Sequence, residues 1–149
     1  MTKATIHARI TERKKFENAK FIRPGSVLVG IPSDAAPYPD GTRVVDVAVS
    51  HEFGIGVPER SFLRSTVSEN RKKYVKMLSN GLAKVRQGKL TVDQMLKVIG
   101  IEASVDVKQK ITDIDTPPNS QKTEDRKGFN NPLIETGHMQ RQVTYEVKK

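Results

Sequence analysis

The sequence predicts an α+β fold, a small and mostly antiparallel sheet packed against a pair of long helices, with an extended arm and a long loop. Three observations predict it. A short β-branched run over 26–31 follows a Pro24-Gly25 turn. Two stretches, starting at Thr66 and Thr91, carry apolar residues at helical spacing behind capping-box signals. A closing run over 143–147 alternates apolar and polar residues, as a strand with one buried face does.

Taken in order, residues 1–24 are polar and basic with scattered apolar residues and no clear period, which reads as an arm or edge element ordered against a partner. Residues 25–149 read as a single α+β domain. Within it, 32–41 hold Pro32, Pro37, Pro39 and Gly41 and form a loop. The run 44–50 is ambiguous: β-branching argues for a strand, and its apolar density suits a short buried helix. Gly54 and Gly56 break it, and Pro58 keeps the next segment extended.

Thr66-Val67-Ser68-Glu69 has the spacing in which a Thr hydroxyl accepts from the third helical amide and the Glu reaches back. Tyr74, Val75, Leu78, Leu82 and Val85 follow at helical spacing, and Gly88 is a natural stop. Thr91-Val92-Asp93-Gln94 repeats the start signal. Leu96, Ile99, Ala103, Val107, Ile111 and Ile114 then form one continuous stripe. The short connection between the helices predicts an antiparallel hairpin. Thr116-Pro117-Pro118 ends the second helix, and the polar run 116–132 reads as a long exposed loop.

Composition bounds the function. A chain of 149 residues favours one domain and buries enough surface to fold without crosslinks. A hydrophobic content of 36% with no Trp is lean, so a partner or neighbouring subunit is expected to complete some apolar surface. The absence of Cys excludes disulfides, thiol nucleophiles and thiolate metal sites, and fits a reducing compartment. No apolar stretch approaches the ~20 residues needed to span a bilayer, and the charged N-terminus has no apolar segment behind it. No membrane partner is expected. Charge is uneven: residues 59–90 hold nine basic and two acidic side chains, +7 of the total +9. Arg71, Lys72, Lys73 and Lys76 are its candidates for contact with DNA or an acidic surface. An ordinary solvated helix face explains the same residues. Aromatic interleaving is poor and no recognition helix is evident, so a DNA contact here would be non-specific.

No constellation for chemistry emerges. His51-Glu52 begins a zinc-protease motif, but position 55 is Ile where a second His is needed. His7, His51 and His138 share no ligand spacing. Gly54-Ile55-Gly56 lacks the third Gly and the helix start of a dinucleotide loop, and no nucleophile elbow is present. The expectation is no catalytic, metal or cofactor site and no enzymatic activity.

Three separated motifs remain. The first is Val47-Ala48-Val49-Ser50-His51-Glu52-Phe53-Gly54, preceded by Tyr38-Pro39-Asp40-Gly41-Thr42. The second is Val57-Pro58-Glu59-Arg60-Ser61-Phe62-Leu63-Arg64. The third is Pro117-Pro118-Asn119, then Arg126-Lys127-Gly128, then Pro132-Leu133-Ile134-Glu135-Thr136-Gly137 and a Thr144-Tyr145 strand. In order and spacing, from about Val27 onward, the chain resembles the bacteriophage virion-morphogenesis and tail-completion proteins. Ser61 stands where that family tends to show Pro, and Met139 is spaced as its usual Leu. The resemblance implies an α+β structural subunit of the neck or tail, assembled in the host cytoplasm into a ring, hexameric by preference, at the head–tail junction of the virion. Adjacent neck, connector or tail-tube proteins are the implied partners, and passing DNA a non-specific one. It also favours a helix over 44–53. Phe53, Arg60, Phe62, Leu63 and Arg64 are the implied interface residues, the two Arg holding carboxylates or carbonyls across a joint. Thr136-Gly137 is the implied turn that sets the last strand beside 27–31. The alternative is a DNA-binding accessory protein using the basic 59–90 region.

Overall fold

A computed structural model describes residues 3–6 and 25–148, the first four by their backbone alone. Strands β1 (Lys3–Ile6), β2 (Ser26–Gly30) and β3 (Thr144–Lys148) form an antiparallel sheet with β2 in the centre. Val29 pairs with Tyr145 and Val27 with Val147 across β2 and β3. Central placement buries Val27, Leu28 and Val29 and explains why this strand lacks polar alternation. Of the arm expected over 1–24, residues 3–6 are an edge strand; the rest, including His7, lies outside the described residues.

Six helices lie among the described residues: α1 (Val44–Phe53), α2 (Leu63–Glu69), α3 (Arg71–Arg86), α4 (Val92–Asp113), α5 (Gln121–Lys127) and α6 (His138–Arg141). The long helix α4 is the spine and touches β2, β3, α2, α3 and α6. It opens on the expected capping box: Thr91 accepts from the Gln94 amide, and the Gln94 side chain accepts from the Thr91 amide. The expected stripe is buried from Leu96 through Ile111. Gly100 lets α4 lie against the Tyr145 ring of β3, where any Cβ would collide with it. Gly81 of α3 similarly admits Met95 of α4.

The helices α3 and α4 run antiparallel. Lys73 pairs with Glu102 and Asp106, while Gly81 meets Met95. Gly88, at φ 70°, turns the chain after α3 as expected. The ambiguous run 44–53 is helix α1, which presents Val44, Val45, Ala48 and Glu52 to the interior at near four-residue spacing. Gly54 closes it in the left-handed conformation, and its amide bonds to the Ser50 carbonyl.

Two expectations are corrected. Thr66 does not start a helix. It is buried inside α2, and its hydroxyl bonds back to the Phe62 carbonyl four residues earlier. The chain is already helical from Leu63 because a distant residue caps it, and Asn70 separates α2 from α3. The 116–132 loop contains α5. That helix buries no residue, so no apolar period marks it; it closes at Gly128 at φ 77°.

Candidate functional site

Parts of the three motifs meet at one place, where α1 ends. Phase decides what happens there. Position 52 continues the buried row of Val44, Val45 and Ala48, so a carboxylate enters the interior, and Glu52 is 0% exposed. A buried carboxylate is unfavourable unless fully hydrogen-bonded. Its Oε2 accepts from the backbone amides of Phe62 (2.8 Å) and Leu63 (2.9 Å). Its Oε1 accepts from the Ser61 hydroxyl (2.8 Å), the Arg64 amide (3.0 Å) and the Arg64 Nε (3.0 Å). Glu52 thus supplies the start of α2 with an N-terminal cap from a remote helix.

Arg64 closes the arrangement. Its Nη2 bonds to Glu59 Oε1 at 2.8 Å, and its guanidinium stacks over the Phe53 ring at 4.6 Å from the centroid. The Glu52 hydrogen bond, with help from Glu59, holds the Arg64 pKa above its ordinary value against the opposing effect of desolvation.

Arg60 ties in the third motif. It is 5% exposed. Its Nε donates to the Pro117 carbonyl at 2.7 Å and its Nη2 to the Pro118 carbonyl at 2.8 Å. Its Nη1 lies 3.4 Å from His51 Nδ1. Arg60 has no acceptor, so this contact requires an unprotonated Nδ1. Burial, then the charges of Arg60 and Lys127, push the His51 ring below its ordinary value and favour that neutral form. The Arg60 amide also bonds to the His51 carbonyl at 2.7 Å. Glu52 and Arg60 together form a clasp joining α1, the start of α2 and the Pro117-Pro118 segment.

Several expected site residues change role. Phe62 and Leu63 are 0% and 2% exposed and sit in this chain's own core, and Arg60 is spent on this chain's own carbonyls. Phe62 and Leu63 present no surface to a neighbour in this conformation, and Arg60 does so only through the cleft that it lines. Leu63 and Arg64 are helical, and only 58–61 of the segment after Gly54 is free of helix, turn and bend. Phe53 (44% exposed) and half-exposed Arg64 remain at the surface. Of the basic candidates, Arg71, Lys72 and Lys76 are exposed on α3, but Lys73 is held between the two helices by Glu102 and Asp106. The Tyr74 hydroxyl shares Asp106 at 2.8 Å, and burial and that bond raise its pKa. The role of Glu52 was missed. Its phase with Val44 and Ala48 was the available signal.

Beside the clasp lies a cleft of about 700 Å³. Arg60, His51, Asn119 and Lys127 line it, with Val47, Val57 and Leu133 as apolar wall and Asp40 and Glu135 as the acidic members. Glu135 is engaged by Arg126 at 2.9 Å. Among the described residues no group of three or more His, Asp or Glu is placed to hold a metal ion, and no helix is long and apolar enough to cross a membrane. Comparison with protein-family models, with curated proteins and with solved structures finds no match.

Proposed function

We propose that this chain is a structural subunit of a bacteriophage neck or tail, of the tail-completion or head–tail joining kind, working as a homo-oligomeric ring without catalysis of its own. The observation that carries the reading is the convergence of the three motif segments on the Glu52–Arg60 clasp. Residues far apart in sequence that carry the resemblance do one physical job together, holding α1, α2 and the Pro117-Pro118 segment in fixed relation. Rigid placement of exposed groups is what a joint between subunits requires. The exposed apolar residues Phe53 and Ile55 beside the clasp, and Val98, Ile101 and Val105 along α4, are surface that assembly would cover.

Two measurements test this together: the mass of the purified chain in solution, and its presence in purified virions. A ring-sized species, or the chain in particles, is expected. A strict monomer absent from particles overturns the reading.

The alternative, a DNA-binding accessory protein, draws on the exposure of Arg71, Lys72 and Lys76 on α3. It requires duplex affinity that falls steeply as salt rises. No binding at low salt removes it. The two readings are compatible, since a ring at a head–tail junction surrounds passing DNA.

A further inference from the structure

Among the described residues, two cations lining the cleft beside the clasp, Arg60 and Lys127, have no carboxylate at ion-pair distance. Arg60, 95% buried, donates to two carbonyls and faces a neutral His51, and it has no carboxylate partner among the described residues. A guanidinium has five N–H donors, and these contacts use three. Lys127 donates to the Asn131 carbonyl at 2.7 Å and lies over the Phe129 ring at 5.1 Å, again without a carboxylate at ion-pair distance among the described residues. Burial lowers the Lys127 pKa first, and the charges of Arg126 and Arg60 lower it further, against a contribution from Glu135. Asn119, also in the lining, has a buried side-chain nitrogen with no hydrogen-bond partner among the described residues. A buried guanidinium and a buried amide donor of this kind are normally met by an anion or an acceptor, and half-buried Lys127 adds a second positive charge beside them.

We infer that this cleft is a binding site for a carboxylate, carried by an extended peptide segment of a partner polypeptide and flanked there by apolar residues. The carboxylate would lie against Arg60, Lys127 and Asn119, and the flanking side chains against Val47, Val57 and Leu133. The acidic residues select the occupant. Asp40 and Glu135, the latter paired with Arg126, offset two of the three cations in the lining, which leaves charge for a single carboxylate and not for a polyanion such as a nucleic-acid strand, whose charges repeat along its length. The apolar wall offers little to free phosphate. The assignment depends on the cleft alone, so it outlives a failure of the assembly reading.

The test is NMR titration of the full chain with a blocked pentapeptide, acetyl-Ala-Val-Glu-Leu-Ala-amide, and with its Gln counterpart. Saturable shifts of the Asn119 side-chain amide and the His51 ring are expected, with the Glu peptide about tenfold tighter, as one charge-assisted hydrogen bond implies. Arg60 belongs to the clasp and its variants risk misfolding, so Lys127→Met is the variant of choice. Its thermal midpoint should stay close to that of the parent, and its affinity for the Glu peptide should fall about tenfold. Equal affinity for the two peptides, no saturable shift with either, or unchanged affinity in Lys127→Met overturns the inference. So does displacement of the Glu peptide by inorganic phosphate or an oligonucleotide at concentrations below its own Kd.

Discussion

Two regions of this molecule join their elements by opposite means. Where α4 crosses the sheet and meets α3, the contact is made of Leu96, Ile99, Ala103, Val107 and Ile111, together with Val27, Val29 and Tyr74. It is strong because apolar area leaves water, and it tolerates any filling of similar volume. At the clasp, a buried carboxylate and a buried guanidinium are met almost wholly by backbone groups and immediate neighbours. That junction has less area to hide, and it is specific because each polar atom must find its partner. The hairpin supplies cohesion, and the clasp supplies the relative placement of three segments. The motifs follow the second job, and this is why Glu52, Arg60, Arg64, Pro117 and Pro118 stand among their aliphatic residues.

Substitutions can break or sharpen this contrast. The largest loss is expected for Glu52→Ala, about 3–5 kcal/mol in chemical denaturation, because three backbone amides and Arg64 lose their acceptor in a dry site. Glu52→Gln should recover part of it, since the amide oxygen still accepts. A cost for Glu52→Ala no greater than that of a surface substitution would erase the distinction between the regions. Ile111→Ala should cost about 3 kcal/mol through a cavity on α4, and Ile111→Val only about 1 kcal/mol. A polar replacement should rescue nothing there.

Arg60→Met should cost about 2 kcal/mol, as charge-assisted bonds to two carbonyls are lost. Its signature is local: amide exchange should rise around 117–133 and stay slow in α4. Uniform loss of protection would mean that the clasp and the hairpin unfold as one unit.

A smaller effect is expected from pH. The His51 pKa is lower in the folded chain than its ordinary 6.5, through burial first and then Arg60 and Lys127. The unfolded chain therefore binds the proton first as pH falls. The His51 contribution is complete above the ordinary value and is lost as pH drops through it toward the folded value. Denaturation midpoints between about pH 7.5 and 5.5 should fall with pH, and His51→Asn should flatten that part of the curve. The smallest effect is expected for Lys72→Glu with Lys76→Glu, within about 0.5 kcal/mol of the parent, since both side chains stand in solvent.

The hairpin was legible from residue pattern. The stripe 96–111, the Thr91–Gln94 capping box and the Gly88 stop each depend on neighbours within one or two turns, and each stands where the pattern placed it. The clasp was legible only as a set of motifs. Glu52 was in phase with Val44 and Ala48, but nothing local names Phe62, Leu63 and Arg64 as its donors. The Thr66–Glu69 signal misled because a cap from another helix replaced the local one. Phe62 and Leu63, expected at an interface, were drawn into the core by that same displaced helix start.

By itself, then, the sequence determined the α+β class, the paired helices, the breaks at Gly54 and Gly88, and the closing strand. Periodicity and backbone preference are local, and they act wherever the chain goes. Tertiary structure alone decided that Glu52 caps α2, that Arg60 grips Pro117 and Pro118, and that Lys127 and Asn119 share a cleft with it. These outcomes depend on which polar groups are brought together out of water, and a one-dimensional spacing does not contain that information.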